Sequence, residues 1–139
     1  MIEKASVSTI MTRDLITIDY KDDLESAEHL FKVNKIRHIP VVKGDELKGM
    51  LSYTDLLRIS FADAIGEDEM SIDSVVYNMF TIEQVMVKNV VSMPSAASIK
   101  EVAELLTQRN FHAIPIVDDN KLVGIVTTTD LLKFLLSQF

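Results

Sequence analysis

Residues 126–136 read VTTTDLLKFLL, and residues 51–61, 75 positions earlier, read LSYTDLLRISF. One such phrase, a hydroxyl residue followed three places later by an acid and then by an apolar run, is the signature of a helix start. Two in one register mean more. Laying residues 8–59 over 83–134 needs no gap, and 11 of the 52 pairs are identical, among them Met11/Met86, Ile39/Ile114, Pro40/Pro115, Gly49/Gly124 and Asp55/Asp130. Ser52 matches Thr127, and Arg58 matches Lys133. The chain is one unit used twice.

Each copy carries the same pattern of elements. Leu15–Ile18 and Val90–Met93 are short and β-prone. A helix then starts at Asp23 in the first copy and at Ser98 in the second, where Glu101 is placed for a capping box. Leu24, Ala27, Leu30 and Phe31, and later Ile99, Val102, Leu105 and Leu106, recur at helical spacing and predict a buried stripe. Ile39–Val42 and Ile114–Val117 are strands, followed by the turns Lys43-Gly44-Asp45 and Asp118-Asp119-Asn120 and by the strands Leu47–Ser52 and Leu122–Thr127. Pro40 and Pro115 lack a ladder donor, so each is expected at a strand start or a sheet edge. A unit of this size is marginal alone, which predicts that the two pack together.

The chain has 139 residues, is 47% apolar and carries a formal charge of −7 from 14 basic and 21 acidic residues. That balance argues for a folded globule and against a broad nucleic-acid surface, since the basic residues form no run. No apolar stretch has the length of a membrane span, and the first residues lack the apolar core of a signal peptide, so a cytoplasmic protein without a membrane partner is expected. Cysteine is absent, which excludes disulfides and thiolate chemistry. The three histidines, His29, His38 and His112, lack metal-ligand spacing, and neither a nucleophile elbow nor a phosphate loop occurs, so no catalytic residue, metal or cofactor is expected. From Ile59 to Val87 the chain has acids and no Lys or Arg, and reads as an ordered acidic connection with helical pieces.

The doubled Ile-Pro strand and the doubled Gly-x-x-[Ser/Thr]-x-x-Asp-Leu-Leu phrase resemble those of the tandem cystathionine-β-synthase (CBS) domain pair, or Bateman module, over about residues 8 to 137. The resemblance implies an α+β fold of two β-α-β-β-α units packed through their sheets with pseudo-two-fold symmetry. The units are expected at residues 1–62 and 83–139, with the acidic segment 63–82 between them, as a stand-alone pair. It implies a regulatory module binding AMP, ADP, ATP or S-adenosylmethionine in clefts between the units, as a homodimer whose seam is the apolar C-terminal helix, with a protein partner that reads the change. The alternative is a dimerising scaffold that binds no ligand.

The chemistry of the phrase is compatible with a sugar. A carboxylate, Asp55 or Asp130, can accept both vicinal hydroxyls of a ribose while Ser52 or Thr127 supplies a further hydrogen bond, and a helix N-terminus favours phosphate. The same groups also serve as helix caps. Carried over from the family, Ile16 and Val91, with Met11 and Met86 just before them, would line an adenine. Ile36, Arg37 and His38, matched by Phe111, His112 and Ala113, would stand at its edge and near phosphate. Gly49 and Gly124 permit a close backbone approach. Of the two clefts, the one carrying Thr127 and Asp130 is slightly preferred.

Overall fold

The computed structural model describes residues 4–63, 79–109 and 112–139. Most of the acidic connection and Phe111 lie outside the described residues. The chain is α+β and divides into two compact units, Ile16–Asn89 and Met1–Leu15 together with Val90–Phe139.

In the first-repeat unit, β1 (Ile18–Asp19) leads to α1 (Leu24–Asn34), the hairpin β2 (His38–Lys43) and β3 (Glu46–Ser52), α2 (Tyr53–Asp63) and the short α3 (Ile82–Val85). The second-repeat unit holds α4 (Ile99–Gln108), the hairpin β4 (Ala113–Asp118) and β5 (Lys121–Thr127), and α5 (Thr128–Ser137), preceded by a 3-10 turn at Val7–Thr9. Asp23 caps α1 by accepting from the Ser26 N–H at 2.7 Å, which holds its carboxyl below the usual range. Ser98 caps α4 by accepting from the Glu101 N–H, but the Glu101 carboxylate takes the Ser98 hydroxyl at 3.2 Å instead of closing the expected capping box.

Both hairpins turn in two residues. Asp119 and Asn120 have φ of 51° and 66°, the two left-handed positions of a type I′ turn, whereas only Gly44, at φ 62°, is left-handed in the first hairpin. Pro40 and Pro115 sit third in their strands, opposite Met50 and Ile125. The backbone groups of Met50 turn away to Val87, and those of Ile125 to Thr12, so neither proline deprives the hairpin of a bond.

The prolines also explain why the first strands are shorter than expected. The Pro115 carbonyl accepts from Met93, and the Val117 N–H donates to Met93. One step earlier the ladder would need an N–H on Pro115, which has none, and only an isolated bridge, Met93 to Ile116, forms. Ile18 pairs with Val41 in the same sense beyond Pro40, leaving Leu15–Thr17 outside the sheet.

Each unit has its own apolar core. One gathers Ile18, Leu24, Ala27, Phe31, Ile39, Val41, Leu51 and Leu56. The other gathers Ala97, Val102, Ile114, Ile116 and Val126. Each is completed from the segment that precedes the opposite repeat, by Ile82 in the first core and by Val7 and Met11 in the second. The compact units are therefore cut differently from the sequence repeats. Residues 5–12 and 81–87 act as straps, each placed on the repeat that it does not lead into.

The two repeats tie equivalent positions by different chemistry. In the first, the Lys43 ammonium lies 5.9 Å from the centre of the Tyr20 ring. In the second, the positions 75 residues on are Asp118 and Ser95: the Ser95 hydroxyl donates to the carboxylate at 2.5 Å and the Ser95 N–H at 3.0 Å. The Ser6 hydroxyl donates to the Ser95 carbonyl, so the strap joins this latch. The hydroxyl, and secondarily the N–H, hold the Asp118 carboxyl below its usual range. A depressed carboxyl stabilises the fold above its unfolded pKa of about 3.9 and loses that contribution as pH falls through the folded value. Ser95→Ala should therefore destabilise the protein at neutral pH, with a deficit that shrinks below about pH 4; thermal melts at pH 7 and pH 3 check it.

Candidate functional site

At the junction of β5 and α5, Thr127 has extended backbone and accepts from the Asp130 N–H at 3.2 Å, while the Asp130 carboxylate accepts from the Thr127 N–H at 2.9 Å. This is a reciprocal cap. At the equivalent β3–α2 junction, Ser52 accepts from the Asp55 N–H at 3.1 Å, but the Asp55 carboxylate leans to Arg58 at 3.5 Å. Three of the predicted site residues, Ser52, Thr127 and Asp130, are thus helix-capping groups, and these and Asp55 are partly buried at the mouths of helices.

The next residue fixes each junction to the neighbouring strand. The Tyr53 N–H donates to the Arg37 carbonyl at 2.9 Å, and the Thr128 N–H donates to the His112 carbonyl at 3.0 Å. The hairpin register then sets His38 opposite Ser52 and Ala113 opposite Thr127. In each unit the hydroxyl, the carboxylate and the first residues of the Ile-Pro strand therefore stand together. Arg37 and His112 are exposed, His38 is half-buried and Ala113 is buried. Arg37 can present its fork to an anion, and His112 its ring.

The structure divides the twelve predicted residues evenly. Ile16, Arg37, His38, Ser52, Asp55 and Met86 belong to the first-repeat unit, and Met11, Val91, His112, Ala113, Thr127 and Asp130 to the second. Met11 falls in the second-repeat unit and Ile16 in the first, while Met86 falls in the first and Val91 in the second. Each methionine covers a glycine of its own unit: a Cβ built on Gly124 would stand 2.6 Å from the Met11 sulfur, and one built on Gly49 would stand 2.5 Å from the Met86 sulfur. The close approach that these glycines permit is by the protein's own straps. Met11 is 8% exposed and joins the second core. Ile36 likewise packs against the first core. Ile16 is half-buried and Val91 exposed.

Two contributors were missed in the sequence. Tyr53 meets the Phe31 ring edge-on at 5.4 Å and so anchors the residue between Ser52 and Asp55 to the core; its place directly after the hydroxyl was the available signal. Ser95, with Asp118, is the other, and nothing local marks a pair 23 residues apart. Among the described residues no group of three or more His, Asp or Glu is placed to hold a metal ion, and no helix is long and apolar enough to cross a membrane.

A family model described as the CBS domain matches residues 7–62 and again 82–137. The chain belongs to the CBS domain family. The CBS domain-containing protein YhcV of Bacillus subtilis is 32% identical over 128 residues, 91% of this chain and 83% of that one. The chain spans about a quarter to a half of several other curated relatives, 23%, 48% and 25% of their lengths.

Among solved structures, the putative acetoin utilization protein AcuB of Vibrio cholerae superposes with a TM-score of 0.80 at 27% identity, over 96% of this chain and 91% of that one. Two others share the fold at lower identity. CBSX2 in complex with AMP gives a TM-score of 0.80 at 21% identity, over 96% and 97% of the two chains. The CBS domain pair of protein MJ0100, in complex with 5′-methylthioadenosine and S-adenosylmethionine, gives 0.78 at 23%, over 97% and 98%.

Proposed function

We propose that this chain is a regulatory ligand-sensing CBS pair that binds an adenosine-containing ligand through the doubled hydroxyl-carboxylate junction and carries out no catalytic step. The observation behind this is the junction itself. In each unit a carboxylate and a hydroxyl are held at a helix N-terminus, next to Arg37 or His112, the residue just before the Ile-Pro strand. A ribose would be held by Asp55 or Asp130 through two charge-assisted bonds, with Ser52 or Thr127 supplying a third. The helix N-terminus, Arg37, His38 and His112 would receive phosphate, while Ile16 and Val91 would meet the base. The AMP and S-adenosylmethionine complexes of other CBS proteins support the ligand class at the level of fold.

The Thr127/Asp130 site is the stronger candidate, because its hydroxyl and carboxylate are held together in one reciprocal cap, whereas the Asp55 carboxylate leans to Arg58. The test is isothermal titration of AMP, ATP and S-adenosylmethionine into the wild type, Asp55→Ala and Asp130→Ala. Asp130→Ala should weaken binding by about 10- to 100-fold, the worth of hydrogen bonds to a charged group. Absence of heat with all three ligands in the wild type would remove the reading.

We place the module in the cytoplasm as a homodimer that signals to a protein partner. The apolar face of α5 supports the dimer: Leu132, Leu135 and Leu136 are exposed, Leu136 by 71%, as a face awaiting a second copy would be. Sedimentation should give a dimer that Leu136→Glu dissociates; a monomeric wild type would count against it. The alternative, a scaffold that binds nothing, is favoured by one observation: both carboxylates already have partners within the protein. A dimer with silent titrations would select it.

A further inference from the structure

We propose that Met86 is an oxidation-sensitive latch within the first-repeat unit, and that its conversion to the sulfoxide by hydrogen peroxide releases residues 81–87 from β3. Every group involved lies within Ile16–Asn89, and the inference does not rest on the ligand reading. Residues 81–87 are held at three points. Ile82 is fully buried in the core, Val87 exchanges two backbone hydrogen bonds with Met50, at 2.9 and 3.0 Å, and between them the Met86 side chain lies over Gly49. A Cβ on Gly49 would stand 2.5 Å from the Met86 sulfur and 3.0 Å from its Cγ, so the thioether fits only against a bare α-carbon. The same side chain packs against the first-repeat core.

A thioether suits that place because it is apolar and adaptable, and it is also a group that peroxide can change. The sulfur lone pair attacks one oxygen of hydrogen peroxide. The S–O bond forms as the O–O bond breaks, and the departing hydroxide takes the proton of the transferred oxygen and leaves as water. Sulfur is oxidised and the peroxide reduced. The product carries a strongly accepting oxygen on the atom that faced Gly49. The neighbouring Met50 and Val87 N–H groups are already committed to each other's carbonyls, so neither can satisfy that oxygen without opening the strap's own hydrogen bonds. Moving the strap out to water satisfies it.

Access separates Met86 from its counterpart in the other repeat. Met86 is half-buried, whereas Met11, whose sulfur would stand 2.6 Å from a Cβ on Gly124, is 8% exposed. Peroxide must reach the sulfur to oxidise it, so one strap is open to the reaction and the other is shielded. Met79, 67% exposed, is the reference for unhindered oxidation, and Met50, 7% exposed, for a buried sulfur. Reductases return the sulfoxide to the thioether, which makes the release reversible.

The test treats the full chain with graded hydrogen peroxide and maps each methionine by peptide mass spectrometry. Met79 should oxidise first, Met86 next, and Met11 and Met50 only as the fold is lost. A Met86 that stays reduced as long as Met11 does would overturn the proposal. In protein oxidised at Met86, hydrogen exchange read by NMR should speed up about tenfold or more at the Met50 and Val87 amides, the scale set by an unpaired buried acceptor. Met86→Leu, with its other methionines oxidised to the same extent, should show no change at those amides. Equal exchange in oxidised and reduced wild type, or equal acceleration in oxidised Met86→Leu, would also overturn it. Met86→Gln places a polar group over Gly49 without any oxidant and should exchange like the oxidised protein; exchange like the reduced wild type would count against the latch. Methionine sulfoxide reductases of both stereochemical specificities, with a thiol, should restore slow exchange, and exchange that stays fast once the sulfoxide is gone would rule out a switch.

Discussion

Phe31→Ala should destabilise the protein by about 3–5 kcal/mol and lower its melting temperature by on the order of 10–20 °C. Phe31 is 2% exposed, the largest of the fully buried side chains among the described residues, and sits among Leu24, Ile39, Leu51 and Leu56. Truncation removes that buried ring and leaves a space that these neighbours, held in strands and helices, close only in part. The Tyr53 ring loses its edge-on partner as well, a contribution of about 0.5–1.5 kcal/mol beyond area. Urea denaturation with thermal melting measures the loss. A change under about 1 kcal/mol would mean that the first-repeat core is not packed as described.

Ile82→Ala should cost about 2–5 kcal/mol, a large penalty for a residue at the start of the second family match and in a helix of only four residues. Its side chain is fully buried in the first-repeat core, with Val85 and Met86 packed beside it. The loss should therefore appear as faster hydrogen exchange in α1, β2 and β3, with β4 and β5 much less affected. The reverse pattern would place residues 81–87 on the other repeat and remove the exchange of straps.

The sequence was most legible where the physics is local. The caps at Asp23 and Ser98, the two-residue turns at Gly44 and Asp119-Asn120, and the buried stripes of α1 and α4 all arise from groups within a few residues of each other. The doubled phrase was legible for the same reason, since in both copies its hydroxyl closes a cap three residues long, which the carboxylate completes in the second. The extent of the first strands was not, because β-propensity over Leu15–Ile18 and Val90–Met93 does not register that Pro40 and Pro115, more than 20 residues on, withhold the N–H that would lengthen the ladder.

The roles of Met11 and Met86 were hidden more deeply. A glycine before a hydroxyl phrase reads as room for something to approach, but composition does not say what approaches, and here it is a thioether far along the chain. Arg58 beside Asp55 could have been read from the i,i+3 spacing on a helix; Lys133 at the equivalent place makes no ion pair with Asp130 among the described residues, so the spacing alone would have misled in the second copy.

The crossed straps bear on how such a molecule can arise and change. A lone copy of the repeat would carry a lead-in segment suited to a neighbour's interior and would lack the one that completes its own. Two such copies on separate polypeptides would each supply the missing piece to the other, so duplication and fusion would convert a pairing between molecules into one within a molecule. Thereafter neither half is free to be lost, and an inherited change in either lead-in alters the half at the far end of the gene.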